Sequence, residues 1–306
     1  MADITNPIFQ DEDKARQFLE AQRWPNGPVC PHCGSVECST KMQGKAHRPG
    51  LYQCKACRQQ FTVTVRTVYE RSKIPLTKWL LATYLLCSSK KGMSAHQLHR
   101  MLGVTYKTAW FMAHRIRESM RELSAPESGP LGGENKVVEA DETYVGGKAK
   151  NRKNHVPPKE AVVSLVEREG RVRSFHVPEV TSKTLRPILK AQIEQKSYLM
   201  TDESGVYLKP GNDFQGHGRV NHSIEEYVRG GFWHTNTVEG YFSILKRGVV
   251  GTYHHVSQQH LKRYLGEFDF RYNYRQISDT ERAVVALKGI EGKRLTYRRT
   301  DIGANV

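Results

Sequence analysis

Apolar positions along the chain recur in two periods, and the change between them divides it. Near the amino terminus Ala15, Phe18 and Leu19 fall at helical spacing and predict a short amphipathic helix. Between residues 30 and 61 helical spacing lapses, and the aromatic residues Tyr52 and Phe61 suit short paired strands. Pro75, with Leu76, Trp79, Leu80 and Leu86 behind it, predicts a largely buried helix over 75–88. Two further helices fit 94–117, with Ser94 and Thr105 as N-caps and Gly103 as the turn between them. In the second of these, Ala109, Met112 and Ile116 face a core, while Tyr106, Lys107 and Thr108 stand at its exposed amino-terminal end. Residues 124–135 break every periodicity and read as a linker.

Beyond the linker the period shortens. Residues 136–143 predict a strand with Asp141 near its end, and 161–167 and 171–177 predict a hairpin turning at 168–170. A helix fits 182–195, with Leu185, Ile188, Leu189 and Gln192 in register, and a buried strand over 198–202 ends in Asp202. On a helix through 234–247, Asn236, Glu239, Ser243 and Lys246 fall within roughly an 80° arc at ~100° per residue, apart from Val238, Tyr241, Phe242 and Leu245.

Composition adds a partner. The 306 residues exceed what one core organises well, so two or three units are expected. Lys and Arg outnumber Asp and Glu by 47 to 31, a formal charge of +16 spread along the chain, which points to a polyanion. The two capped helices at 94–117 then read as a helix-turn-helix, with Tyr106, Lys107, Thr108 and Arg115 as DNA contacts. Lys148 and Arg152, in a basic loop, are expected to hold phosphates without reading sequence. No run of about 18 apolar residues and no signal-peptide pattern is present, so the expectation is no membrane partner and a cytoplasmic, nucleoid-associated protein.

Six cysteines in a reducing compartment favour metal ligation or burial over disulfides. Cys30-Pro31-His32-Cys33 and Cys54-Lys55-Ala56-Cys57 form two knuckles at ribbon spacing, each offering two thiolates to one structural Zn2+. His32, Cys38 and His47 are spare candidates, and Cys87 reads as core. Asp141 and Asp202, delivered at neighbouring strand ends, suit hard cations through oxygen, the arrangement that paired Mg2+ ions about 3.5–4 Å apart need at a phosphodiester. Glu239 can complete the carboxylate set, Lys246 can meet a phosphate, and Glu139, Glu142, Glu203 and Asp213 compete as ordinary surface acids.

These motifs resemble the zinc-ribbon insertion-sequence transposases with a ribonuclease H-like core, of the DDE superfamily, in the branch whose third metal-site residue is Glu or Asn. The resemblance rests on the four cysteines, FTVT at 61–64, DETYVGG at 141–147, DES at 202–204, HTNTVE at 234–239 running to LKR at 245–247, GTYHHVS at 251–257 and YLGEFDFRYN at 264–273. It implies Asp141, Asp202 and Glu239 as a catalytic triad, with Lys246 assisting; Asn236, on the same helical face, is the rival for the third position. The expected fold is α+β and multidomain: helix plus zinc ribbon at 1–70, helix-turn-helix region at 71–123, linker at 124–135, ribonuclease H-like mixed α/β core at 136–276 and a basic tail at 277–306. The expected activity is binding of terminal inverted repeats, then Mg2+-dependent cleavage and strand transfer into target DNA, with Mn2+ as a possible substitute and a homo-oligomer, at least a dimer, acting on two ends. A zinc-dependent DNA-binding regulator and a metal-dependent nuclease are the alternatives.

Overall fold

The computed structural model describes residues 4–121, 129–146, 159–220 and 234–296. The chain forms two compact units, one from residues 1–121 with 277–306 and the other from 122–276.

In the first unit α1 (Glu12–Arg23) starts at Asp11, whose carboxylate accepts from the Asp13 and Lys14 amides, and it buries Ala15 and Leu19. A small antiparallel sheet follows in the order β1 (Ser39–Lys41), β2 (Tyr52–Cys54) and β3 (Gln60–Phe61). Tyr52 stacks on Phe61 across the β2–β3 pair, and Trp24 meets both rings edge-on at 5.6 and 5.7 Å. That aromatic cluster gives the small sheet its apolar contacts. α2 (Leu76–Ser88) buries Trp79, Leu80, Leu86 and Cys87, as its apolar run predicts. α3 (Ala95–Leu102) begins at Ser94, whose hydroxyl accepts from the Gln97 amide, and ends at Gly103 in the left-handed conformation, φ 59°. α4 (Tyr106–Met120) begins at Thr105, whose hydroxyl accepts from the Thr108 amide.

The second unit is a five-stranded mixed sheet in the order β6-β5-β4-β7-β8. β4 (Val137–Gly146), β5 (Lys159–Glu167) and β6 (Val172–Val177) form an antiparallel meander, and β7 (Tyr198–Thr201) and β8 (Gly216–Arg219) add in parallel on the far side of β4. Meander, helix and parallel strands in this order are consistent with a ribonuclease H-like core. Helices cover both faces. α5 (Ser182–Gln192) packs Leu185 and Leu189 on a face made of Val138, Ala140, Val163, Leu165 and Leu199. α6 (Asn236–Gly248) and α7 (Gln258–Asn273) pack Val238, Tyr241, Phe242, Leu245, Leu261 and Phe268 on the opposite face against Val145, Val162, Val166 and Val172.

Two segments differ from their expected roles. Within the 124–135 stretch, Leu131 is buried in the second unit's core, and its amide and carbonyl bond to Gln192 and Glu194, so an apolar anchor ends the stretch inside the domain. Residues 279–288, read as tail, form α8 (Asp279–Lys288), which returns to the first unit and packs on α2. A capping box starts it: the Ser278 hydroxyl accepts from the Glu281 amide while the Glu281 carboxylate accepts from the Ser278 amide. Among the described residues no helix is long and apolar enough to cross a membrane.

Candidate functional site

The two cysteine knuckles have the same construction. The Gly34 amide donates to the Cys30 carbonyl at 2.9 Å and the Cys30 amide to the Ser35 carbonyl at 3.0 Å; Arg58, Cys54 and Gln59 repeat both bonds at 3.0 Å. Each knuckle closes through a left-handed residue, Gly34 at φ 76° and Arg58 at φ 62°. The four sulfurs lie within 4.8 Å of one another, with 3.6 Å between Cys30 and Cys57 and 3.7 Å between Cys33 and Cys54. A tetrahedron with Zn–S bonds of about 2.3 Å has sulfur edges of about 3.8 Å, so the cluster has the size of a structural zinc site. Hydrogen bonds from the Ser35 hydroxyl and amide hold the Cys33 thiol down at about 6, while burial and the three neighbouring cysteines push Cys57 up.

In the second unit, β4 and β7 pair in the parallel register Val137↔Tyr198, Val138↔Leu199, Glu139↔Met200. Two steps further in that register Asp141 stands level with Asp202, the residue after β7, whose carboxylate accepts from the Ser204 amide at 3.1 Å. Strand side chains alternate, so Glu139, Asp141 and Val145 share the face covered by α6 and α7. Glu142 points the other way and accepts from the Tyr207 hydroxyl at 2.6 Å. α6 packs on β4 and carries Glu239 in its first turn. Burial first, and then the charges of Glu142, Asp202 and Glu239, push the Asp141 carboxyl up to about 7 against one bond from the Glu142 amide. The carboxylates of Asp202 and Glu239 thus lie within electrostatic reach of Asp141. Among the described residues, however, the cysteine cluster is the group of three or more such ligands that converges within 4.8 Å.

Comparison with known proteins follows the same division. Residues 10–60 match the transposase zinc-ribbon domain and residues 130–273 match the ISXO2-like transposase domain. The chain thus carries the zinc-ribbon and DDE-type domains of the insertion-sequence transposases. A relative from Halobacterium salinarum, the "Uncharacterized protein in transposable element ISH50", is 29% identical over 285 residues, spanning 86% of this chain and 91% of that one. The Drosophila P element transposase strand transfer complex aligns over 66% of this chain and 58% of its own at 9% identity, with a TM-score of 0.28.

In this transposase chain Asn236 and Lys246 lie on the exposed side of α6 together with Glu239, opposite the buried Val238, Tyr241, Phe242 and Leu245. Tyr106, 44% exposed and stacked on His96 at 4.2 Å, and the exposed Lys107 form the start of α4, with Thr108 half-buried beside them. Arg115 departs from its expected role as a DNA contact. It is 8% exposed, and its guanidinium donates to the carbonyls of Glu70 and Leu295, so it holds the first unit together. Lys148 and Arg152 lie outside the described residues.

The competing acids also separate. Asp213 forms a bidentate pair with Arg186 at 2.6 and 2.8 Å, which with Lys190 holds it down at about 2, an ordinary surface ion pair. Glu139 is fully buried and lies at the centre of a bonding network that its sequence reading as a surface acid does not contain. The signal was available: in Val137-Val138-Glu139-Ala140-Asp141, alternation puts Glu139 on the same face as Asp141 within an apolar strand, where a carboxylate must find donors.

Proposed function

We propose that this transposase binds the terminal inverted repeats of its element and cuts and joins DNA at Asp141, Asp202 and Glu239. The observation that carries the reading is a placement: Asp141 on β4 and Asp202 after β7 stand level across a parallel pair, Glu239 lies in the first turn of the helix packed on β4, and burial first, then the nearby charges of Glu142, Asp202 and Glu239, push the Asp141 carboxyl up to about 7. Carboxylates gathered beside the buried Asp141 fit a hard divalent cation, whose charge offsets the penalty on the Asp141 carboxylate and whose ligands are oxygens. The expected ions are a pair of Mg2+, replaceable by Mn2+; when bound they supply Lewis-acid stabilisation of the attacking and leaving oxygens of the phosphodiester.

The chain's own residues do the rest. Asp141 and Asp202 are fixed by the sheet, and Glu239 approaches from a helix packed on it, so two ligands are rigid and the third depends on how α6 is seated. Glu239 outranks Asn236 as the third ligand because an amide oxygen brings no charge. Lys246, exposed two turns along α6, meets DNA phosphate as a point charge. In the first unit, the exposed start of α4 enters the major groove as the recognition helix of a helix-turn-helix, and the zinc ribbon adds a second DNA contact. Two ends brought to one reaction call for at least a dimer.

The test is cleavage and strand transfer on DNA carrying the element's ends, with Mg2+ and without it. Asp141→Ala and Asp202→Ala are expected to abolish both reactions while end binding stays within a few-fold of the parent. Hydrolysis with no strand transfer identifies a nuclease, and binding with no chemistry a regulator; either result removes the transposition reading.

A further inference from the structure

The geometry points to Glu139 as a positioning residue that seats α6 on β4 and so sets the third ligand of the divalent-cation site; this rests on the reading of Asp141, Asp202 and Glu239 given above. α6 has no side-chain N-cap of its own. Its N-cap residue, Thr235, turns its hydroxyl toward the Glu239 carboxylate at 3.2 Å, leaving the first amides of the helix to another partner. That partner is in the sheet. Glu139 Oε2 accepts from the Thr237 amide at 2.8 Å and the Val238 amide at 3.0 Å, the two positions an N-cap side chain normally serves. Its Oε1 accepts from the Thr237 hydroxyl at 2.9 Å and from Arg168 Nε at 2.7 Å, with His234 Nδ1 3.3 Å away. Arg168 also donates to the His234 carbonyl at 2.8 Å, so the approach to the helix is tied to the same carboxylate.

The consequence for the site is geometric. Glu139 and Asp141 lie on one face of β4, about 6.7 Å apart along the strand, and Glu239 follows the capped amides by one residue. One carboxylate therefore fixes the height and rotation of α6 relative to the strand that carries the first cation ligand. The positive end of the helix dipole faces Glu139, so the acids that follow it need not neutralise that end themselves. Both oxygens of Glu139 meet donors only, and an amide at this position would set its NH2 against at least two of them.

The experiment uses the full, zinc-loaded chain and the variants Glu139→Gln and Thr237→Val. Mn2+ binding is titrated directly by electron paramagnetic resonance of the free ion without DNA, and Mg2+ dependence is measured for cleavage of element-end DNA. In a Glu139→Gln chain with parental circular dichroism and end affinity, the Mn2+ midpoint and the Mg2+ requirement are expected to rise about 10–100-fold, the range seen when groups orienting metal ligands are changed. Thr237→Val, which removes one of the bonds and keeps the side-chain size, is expected to shift both a few-fold in the same direction. A folded Glu139→Gln chain with the parental Mn2+ midpoint overturns the proposal. If Glu139→Gln does not fold, an unchanged midpoint in Thr237→Val overturns it instead. Asp141→Asn separates the two levels: loss of Mn2+ binding and cleavage there with no effect of Glu139→Gln sinks the positioning role alone, whereas parental behaviour of Asp141→Asn sinks the cation site and the positioning role with it.

Discussion

The proposed chemistry needs Asp141 ionised in a place where the fold disfavours its charge. Its pKa of about 7 lies above the ordinary 3.8, chiefly through burial and then through Glu142, Asp202 and Glu239. Between those values the folded chain holds more protons than the unfolded one, so this group's contribution to stability falls as pH rises from about 4 through about 7. Asp141→Asn removes the penalty. At pH 8, in Mg2+-free and zinc-replete buffer, it is expected to raise stability by on the order of 1 kcal/mol, or about 2–4 °C in Tm, and to lose the gain near pH 4. Thermal unfolding at the two pH values checks this, and an equal or lower Tm at pH 8 contradicts the burial argument. The cysteines were legible because ligand chemistry imposes fixed spacing on them, and the placement of Asp141 and Asp202 on neighbouring strands because apolar strands lead into them. Glu139 was not legible as a buried cap: its partners are Thr237, Val238 and Arg168, and no local pattern joins residues 98 and 29 positions apart.

At the level of elements, caps and turns were the most readable features, since a Ser or Thr followed by a helix satisfies amides a few residues away. Ser94, Gly103 and Thr105 take the conformations their sequence contexts predict. β8 was missed because Gly216-His217-Gly218-Arg219 has no apolar alternation, and pairing with β7 alone makes it a strand. The start of α4 supports a discriminating measurement. Lys107→Ala is expected to weaken DNA binding across all sequences and to lower the salt slope of log affinity by about 1, one phosphate's worth of counterion release. Arg115→Ala is expected to leave that slope alone and lower the stability of the first unit, because its guanidinium serves Glu70 and Leu295. The ribbon gives a third outcome. Removing zinc leaves four thiols within 4.8 Å and only a small aromatic cluster between short strands. Chelation is therefore expected to unfold residues 30–61 and reduce end binding, and re-addition of zinc to restore both. Full affinity after verified zinc loss contradicts a role for the ribbon in DNA binding.

On the scale of the whole molecule, the chain leaves its first unit, builds the second, and comes back. The return was unreadable as such, because a basic composition suggests a tail and α8 is only ten residues long. Its sequence carries the capping box at Ser278 and Glu281 and, behind it, Ala283, Ala286, Leu287 and Ile290, all buried. Those residues pack α8 against α2, Val68 N–H donates to the Ile290 carbonyl, and Arg282 donates to the Cys87 carbonyl at 2.8 Å. α8 is thus part of the folded core of the zinc-ribbon unit, although the whole sequence of the second unit separates them. Leu287→Ala tests this in the intact chain. Losing a buried Leu side chain from a packed site costs about 2–5 kcal/mol, and local stability is read by hydrogen exchange. Amides of α2 are expected to exchange faster in the variant while those of β4 and β5 keep their protection. Equal loss across both regions means that the two units unfold as one, and no change at α2 means that α8 is dispensable to it.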